Sequence, residues 1–504
     1  MMKSFASTYL AADAGNGQSG AQSPTYPIET RHFIDGEFQP SRSNKTFPLI
    51  SPATGNLSAN VSAAQAEDVD LAVEAASRAS KPWAKVSASE RRAVMLKICD
   101  LIDQHVGEFA YLEAISMGKP VSNYVDHIIG TSILRYYAGK GHDIAGVTSL
   151  ATDSHLNLTL KQPYGVTAAI IPWNVSLIMM CMKIGPSLIA GNALVMKSSE
   201  KSPLTSLLFA RLAKQAGLPP GVLNILSGLG KPCGDCLARH MKIRKISFTG
   251  SARTGKLVQR AAAESNLKDC TLELGGKSPL VVFEDADLEK AAQAAAFSIM
   301  FNSGQICMAS TRVYVHRSVA TQFLSMYKDK ILQVRGHVGD PLDPKTTSGP
   351  VADRQQFNTI KEFLEGAKQE ACSFSMGDVP TEQKGCFVDP VIIWDPPKNS
   401  DIVQKEVFGP VVCVIPFDTE DEAISEANDS EYGLYASVFT RDISRAIHFA
   451  KDFEAGTIGI NTTSPYHCEN LPIGGTKGSG TGRELGSEGL DIWTETKTVF
   501  VDLS

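Results

Sequence analysis

One thiol and one carboxylate define the chemistry that this chain has to support. Cys307 sits in Phe301-Asn-Ser-Gly-Gln-Ile-Cys-Met-Ala-Ser310, a stretch of small and turn-forming residues. The segment before it, Leu288 to Met300, is Ala-rich and reads as a helix, and Thr311 to Val315 after it reads as a strand. A thiol at such a junction is held rigidly and still faces a cavity. Upstream lies Glu273-Leu-Gly-Gly-Lys-Ser-Pro279, a carboxylate followed by a Gly-Gly turn. Together they read as a nucleophile and a general base, the base serving the thiol or a water. The competing reading is a buried structural cysteine, the commoner role for a lone thiol.

The chain that must position them has 504 residues, enough for two or three domains. Its 43% hydrophobic and 20% charged content is ordinary for a globular protein. The net charge of -6 is spread without long runs of one sign, which argues against a nucleic-acid or anionic-membrane partner. No apolar run is long enough for a transmembrane helix. Ten cysteines without metal-ligand spacing suggest a reducing compartment and no metal site. Cys233 and Cys236 form the one C-x-x-C, which reads as two small residues early in a helix or as a redox dithiol. Residues 1–30 read as a flexible tail with no secretory pattern. A cytoplasmic location is expected, with a mitochondrial one left open.

The elements fall into groups. Phe33 to Phe38 reads as a hairpin around Asp35-Gly36, and Pro52 to Gly55 as a second turn. Helical spacing covers Ala66 to Ala79, Ser89 to Val106 (with Ser89 as N-cap), Glu108 to Gly118 and Val125 to Lys140. From residue 156 strands and helices alternate. Strands are expected at Leu156 to Leu160, Gly165 to Ile171, Ala193 to Lys197, Val222 to Leu226, Ile243 to Phe248 and Cys270 to Leu274. Helices are expected at Pro203 to Ala216, Cys233 to His240 and Ser251 to Glu264. Such repeats predict an α/β fold with a parallel sheet, ligands lying at the carboxyl ends of its strands. A second α/β region runs from Cys307 to about Gly475, and Thr494 to Val501 alternates as a closing strand.

Several strand ends carry candidate ligand groups. Phe248-Thr-Gly-Ser-Ala-Arg-Thr-Gly255 follows a strand and opens a helix; Gly250 permits a turn, Ser251 a cap, and the helix N-terminus favours an anion. By itself it is also explained as a plain capped helix. Lys197-Ser-Ser-Glu200 puts a cation beside a carboxylate that could accept ribose hydroxyls, and is equally readable as a solvated strand end. Asn174, in Pro172-Trp-Asn174, could donate to an oxyanion or simply form a turn. Glu406 and Phe408 flank the forced turn Glu406-Val-Phe-Gly-Pro410.

In combination, and in this order, these segments together with Pro472 to Lys477 closely resemble the aldehyde dehydrogenase superfamily from about Phe33 to Val501. The resemblance implies a Rossmann-like cofactor domain (31–145 and 162–275), an α/β catalytic domain (276–477) and a small β bridging element (146–161 and 491–504) serving a homodimer or homotetramer. It implies that Cys307 is the nucleophile, Glu273 the general base and Asn174 the oxyanion donor. Cofactor contacts would come from Ile171, Pro172, Trp173, Lys197, Glu200, Gly230, Gly250, Ser251, Gly255, Leu274, Glu406 and Phe408. The cofactor would be NAD, favoured over NADP by Glu200, with NADP left open. The implied reaction oxidises an aldehyde to the acid through a cysteine thiohemiacetal and thioester. Val175, Met182, Ile306 and Met308 at the implied tunnel positions are apolar and include no Arg, so a longer-chain or aromatic aldehyde is expected. Two alternatives remain: a CoA-acylating relative, disfavoured by Glu273, and a non-catalytic structural relative.

Overall fold

A computed structural model describes residues 27–504; the expected tail therefore lies largely outside the described residues. The chain opens with two hairpins, β1 (His32–Ile34) with β2 (Glu37–Gln39), and β3 (Thr46–Ile50) with β4 (Leu57–Ser62). Four helices follow: α1 (Ala66–Lys85), α2 (Ala88–Gln104), α3 (Val106–Met117) and α4 (Asp126–Gly139). After β5 (Thr148–Ser149) and β6 (His155–Pro163) comes a βα alternation. It runs β7 (Val166–Ile170), α5 (Ser176–Ala190), β8 (Ala193–Ser198), α6 (Leu204–Gln215), β9 (Leu223–Ser227), α7 (Asp235–Arg239), β10 (Lys245–Thr249), α8 (Ala252–Ser265) and β11 (Asp269–Glu273).

A second alternation runs β12 (Ser278–Val282), α9 (Leu288–Met300), β13 (Ser310–His316), α10 (Arg317–Arg335), α11 (Arg354–Gln369), β14 (Ser373–Met376), β15 (Val391–Trp394) and β16 (Val411–Phe417). It continues through α12 (Glu420–Asn428), β17 (Tyr432–Gly433), β18 (Tyr435–Phe439), α13 (Ile443–Asp452) and β19 (Thr457–Ile460). The chain closes with β20 (Thr476–Lys477), β21 (Gly480–Thr481) and β22 (Thr494–Asp502).

The first sheet has the order β2-β1-β9-β8-β7-β10-β11-β21. Strands β9, β8, β7, β10 and β11 are parallel, with β1 and β21 antiparallel at their flanks. Every residue of β7, β8, β9 and β10 is buried, which explains their continuous apolar character: helices cover both faces. The chain steps outward from β7 through β8 to β9 and then crosses back to place β10 on the other side of β7. The order reverses there, and a crevice opens at the carboxyl ends of β7 and β10.

The second sheet has the order β14-β15-β16-β13-β12-β18-β19, parallel apart from β14. The Leu274-Gly-Gly-Lys277 link carries the chain from the carboxyl end of β11 directly to the amino end of β12. The carboxyl edge of the first sheet therefore meets the amino edge of the second. A third sheet, β22-β6-β5, has exposed Val147, Leu150, Leu160, Phe500 and Leu503 on it or at its ends. Among the described residues no helix is long and apolar enough to cross a membrane.

Several local expectations need correction. Ser87, not Ser89, caps α2: its hydroxyl accepts the Glu90 N–H at 3.2 Å and Glu90 returns to the Ser87 N–H at 3.1 Å, a reciprocal pair that outcompetes a lone Ser. The helix expected from Cys233 starts at Asp235, because Gly230–Gly234 forms a wider turn. Helix α5 has no counterpart in the periodicity, since it is buried nearly all round and contains Pro186. Strand β12 was hidden by Pro279; a register irregularity at Ser278/Pro279 accommodates the missing N–H.

Candidate active site

Cys307 lies in the loop between α9 and β13, where Asn302, Ser303 and Gly304 are consecutive left-handed residues with φ of 50°, 55° and 73°. Two non-Gly residues in that region are strained and need external ties. Asn302 Nδ2 donates to the Asn174 carbonyl at 2.9 Å, and Ser303 Oγ donates to the Gly349 carbonyl at 3.0 Å. Gln305, fully buried, donates through Nε2 to the Asn302 carbonyl at 2.9 Å and accepts the Ala352 N–H at 2.8 Å. A Cβ on Gly304 would stand 2.2 Å from the Gly409 carbonyl oxygen, so that position admits glycine alone.

Cys307 and Asn174 line one chamber of about 300 Å³ at the junction of the two sheets. Asn174 is 4% exposed, and its Nδ2 donates to the Gln305 carbonyl at 2.9 Å. Reversing the amide would set Oδ1 against that carbonyl, so the orientation is fixed, and the second N–H remains for a ligand. Burial first, then the Glu406 and Glu273 carboxylates, push the Cys307 thiol up to about 12; the Met308 and Cys307 backbone N–H groups oppose this. The resting sulfur is therefore a thiol.

Glu273 ends β11. It is not among the residues that line the chamber. Its carboxylate faces Gly474, where a Cβ would come within 2.8 Å of Oε1, and that oxygen is buried without a hydrogen-bond partner. Burial first, then Glu484, hold this carboxyl well above the usual range, against the pull of Lys183 and Arg483. The fully buried Lys183 is ion-paired with Glu484. Sequence reasoning missed both. The available signal was a single Lys inside the apolar run Ile178 to Ile184, because a buried cation needs a partner.

The cofactor-side candidates divide between the chamber and the strand ends beside it. Pro172, Trp173, Gly250, Ser251, Leu274, Glu406 and Phe408 line the chamber at the β7/β10 crevice. Glu406 Oε1 accepts the Gly276 N–H at 2.9 Å; burial pushes its carboxyl up to about 7, against that N–H and Lys277. Phe408 packs edge-on to Trp173 with ring centroids 5.3 Å apart. Gln356, also missed from sequence, holds this segment by donating to the Val407 and Phe408 carbonyls at 3.0 and 2.9 Å.

Ile171, Lys197, Glu200, Gly230 and Gly255 do not line the chamber. The first four stand along the same carboxyl edge. Lys197 Nζ donates to the Ser198 carbonyl at 2.9 Å and lies 3.4 Å from Glu200. A Cβ on Gly230 would meet nothing within 4 Å, so the groove is open there. Ser251 caps α8 by accepting the Thr254 N–H at 3.3 Å, and a Cβ on Gly255 would strike Leu274 at 2.6 Å.

A cysteine thiol, an oriented amide and a doubly wound sheet edge meeting at one chamber match a known pattern over almost the whole chain. Residues 38–499 fit the model of the aldehyde dehydrogenase family. The chain belongs to the aldehyde dehydrogenase family. It is 40% identical to retinal dehydrogenase 2 of Gallus gallus, an alignment covering 95% of this chain and 94% of that one. It is also 40% identical to the mitochondrial aldehyde dehydrogenase of Sus scrofa, covering 93% and 90%. Among solved structures, a mutant indole-3-acetaldehyde dehydrogenase of P. syringae in complex with NAD+ and IAA matches with a TM-score of 0.92 at 39% identity, covering 95% and 98%. An NAD+ complex of a Bacillus cereus aldehyde dehydrogenase matches at 0.91 and 40%, covering 94% and 97%.

Proposed function

We propose that this NAD-dependent aldehyde dehydrogenase releases a free carboxylic acid, with Cys307 as nucleophile, Asn174 as oxyanion donor and Glu273 as general base. The observation that carries the reading is the shared chamber: Cys307, an amide with one spare N–H, and the switch-point edge of the first sheet all open onto it.

The residues fit the cofactor. Gly230 leaves open groove, Lys197 and Glu200 offer groups to the adenine ribose, the α8 N-terminus behind Gly250 and Ser251 suits a pyrophosphate, and Glu406 and Phe408 hold the far ribose and ring. Bound NAD+ supplies the hydride acceptor. Once the Cys307 thiol has given up its proton, to Glu273 and on to solvent, its sulfur attacks the carbonyl carbon and gives a thiohemiacetal, whose oxyanion takes the second Asn174 N–H and the Cys307 backbone N–H. Loss of hydride from the former aldehyde carbon leaves a thioester on Cys307. Glu273 swings from Gly474 toward the chamber and takes a proton from water, whose oxygen attacks the thioester and frees the thiolate. Its raised affinity for protons makes it a stronger base than an exposed carboxylate.

Val175, Met182, Ile306 and Met308 all line the chamber, which favours a longer-chain or aromatic aldehyde. We assign 31–145 and 162–275 to the cofactor domain, 276–477 to the catalytic domain, and 146–161 with 491–504 to the bridging element. The exposed apolar residues of the third sheet support a homodimer or homotetramer, and ten free cysteines support a cytoplasmic or other reducing compartment. An aldehyde panel with NAD+ and NADP+, scored for free acid without CoA, tests the whole reading. Preference for acetaldehyde over hexanal and benzaldehyde would refute the substrate class; dependence on CoA would refute hydrolysis.

A further inference from the structure

We infer that the tail of the aldehyde passes between Ile129 and Phe301 into a second cavity against the nucleophile loop, so that the preferred substrate is a long, uncharged aliphatic aldehyde. This rests on the aldehyde oxidation proposed above. The chamber of about 300 Å³ is at the small end for ligand sites, and its β7, β10 and Glu406–Phe408 walls are those assigned to the cofactor. Little of it is left for a tail. A second cavity of about 320 Å³ adjoins it, and Ile129 and Phe301 line both. Asn302 and Ser303 line the second cavity too, which sets it directly against the loop that carries Cys307.

The walls of this cavity suit an uncharged chain. Helix α9 turns one face to it, with Gln293, Phe297 and Met300 at i, i+4 and i+7. Val125, just before α4, and Val334 and Pro350 add apolar surface. The charged residues of the lining, Lys119 and Asp126, are ion-paired with each other at 2.6 Å. The cavity therefore offers no net charge to a tail that ends in a carboxylate or an amine. Phe301 is the movable part of the partition. Ile129 is buried, whereas Phe301 is half-buried and its ring leans on Phe297 with centroids 5.6 Å apart. A ring that is not locked in a core changes rotamer readily, and that rotation joins the two cavities.

The test compares decanal with hexanal, both below their solubility limits. The wild-type kcat/KM should favour decanal by about tenfold or more, since each methylene moved from water into an apolar cavity is worth about fourfold. The ratio is read within each enzyme, so any general loss cancels. Gln293→Trp and Val125→Trp each fill the second cavity from a different wall, and neither residue lines the chamber. Both should leave hexanal oxidation unchanged and bring the ratio toward one. Phe301→Ala removes the partition and should raise the ratio, and adding Gln293→Trp should cancel that rise, whereas a chamber that is merely larger would keep it. A wild-type ratio near one, a decanal preference that both Trp variants leave unchanged, or a Phe301→Ala rise that survives Gln293→Trp overturns the inference while leaving aldehyde oxidation intact. Failure to oxidise hexanal overturns both.

Discussion

A Cβ on Gly276 would stand 2.4 Å from the carbonyl oxygen of Cys307, so the Gly-Gly turn after Glu273 and the nucleophile loop meet backbone to backbone. The two segments that the sequence singles out share one contact surface. Gly276 also gives its N–H to Glu406, which ties the cofactor-side carboxylate to the same point. Replacing Gly276 by Ala must push the Cys307 carbonyl aside. Gly276→Ala should lower kcat by about 10²-fold or more, as expected when a reacting atom is misplaced by about 1 Å. Steady-state kinetics, with circular dichroism to show a retained fold, check this.

Asn174 has one amide N–H anchored on Gln305 and one left for a ligand. Asn174→Ala should reduce kcat by about 10²- to 10³-fold with KM little changed, the signature of a donor used only in the transition state. An effect confined to KM would assign the amide to ground-state binding instead.

Burial and two carboxylates hold the Cys307 thiol at about 12. In the enzyme without cofactor, inactivation by iodoacetamide should therefore rise about tenfold per pH unit from pH 7 to pH 10, following the thiolate fraction. A plateau beginning near neutrality would mean that a base activates the resting sulfur. Cys307→Ala should abolish both alkylation at this site and aldehyde oxidation.

Glu273 feels Glu484 and Lys183 with opposite signs. Glu484→Gln removes a neighbouring negative charge and should move the acidic limb of thioester hydrolysis to lower pH. Lys183→Met removes a positive one and should move it to higher pH. Each single change also breaks a buried ion pair and should cost about 3–5 kcal/mol of stability. The limb is read in pre-steady-state deacylation, and shifts in the same direction would exclude the coupling.

Glu406 is pushed up to about 7 in the folded chain. Between its ordinary value, near 4.5, and about 7 the unfolded carboxyl is ionised while the folded one keeps its proton. The folded state therefore binds more protons, and stability falls as pH rises through that window. Glu406→Gln should flatten this fall. The wild-type minus variant difference in Tm, measured without cofactor at pH 5 and pH 8, should change in the direction of relative gain for the variant at pH 8.

Much of this fold was legible because its signals are local. The buried strands β7 and β10 read as apolar runs, the Asp35-Gly36 hairpin as a turn between short strands, and α8 through Ser251 and Gly250. The order of segments pointed to the family and to Cys307, Asn174 and the cofactor residues. Helix α5 escaped because burial on all sides erases the polar face that periodicity needs. Lys183, Glu484, Gln305 and Gln356 escaped because their meaning lies in partners distant in sequence: Lys183 meets Glu484 and Gln356 meets the Val407 and Phe408 carbonyls only after the two sheets have joined. The sequence by itself determined which residues are candidates for the chemistry, since thiol, carboxylate and amide are given by residue type and order. Only the tertiary structure decided their state. Burial raises the Cys307 thiol, turns Glu273 toward Gly474 and Glu484, and spends one Asn174 N–H on Gln305, because desolvation and contact geometry exist only once the chain is packed.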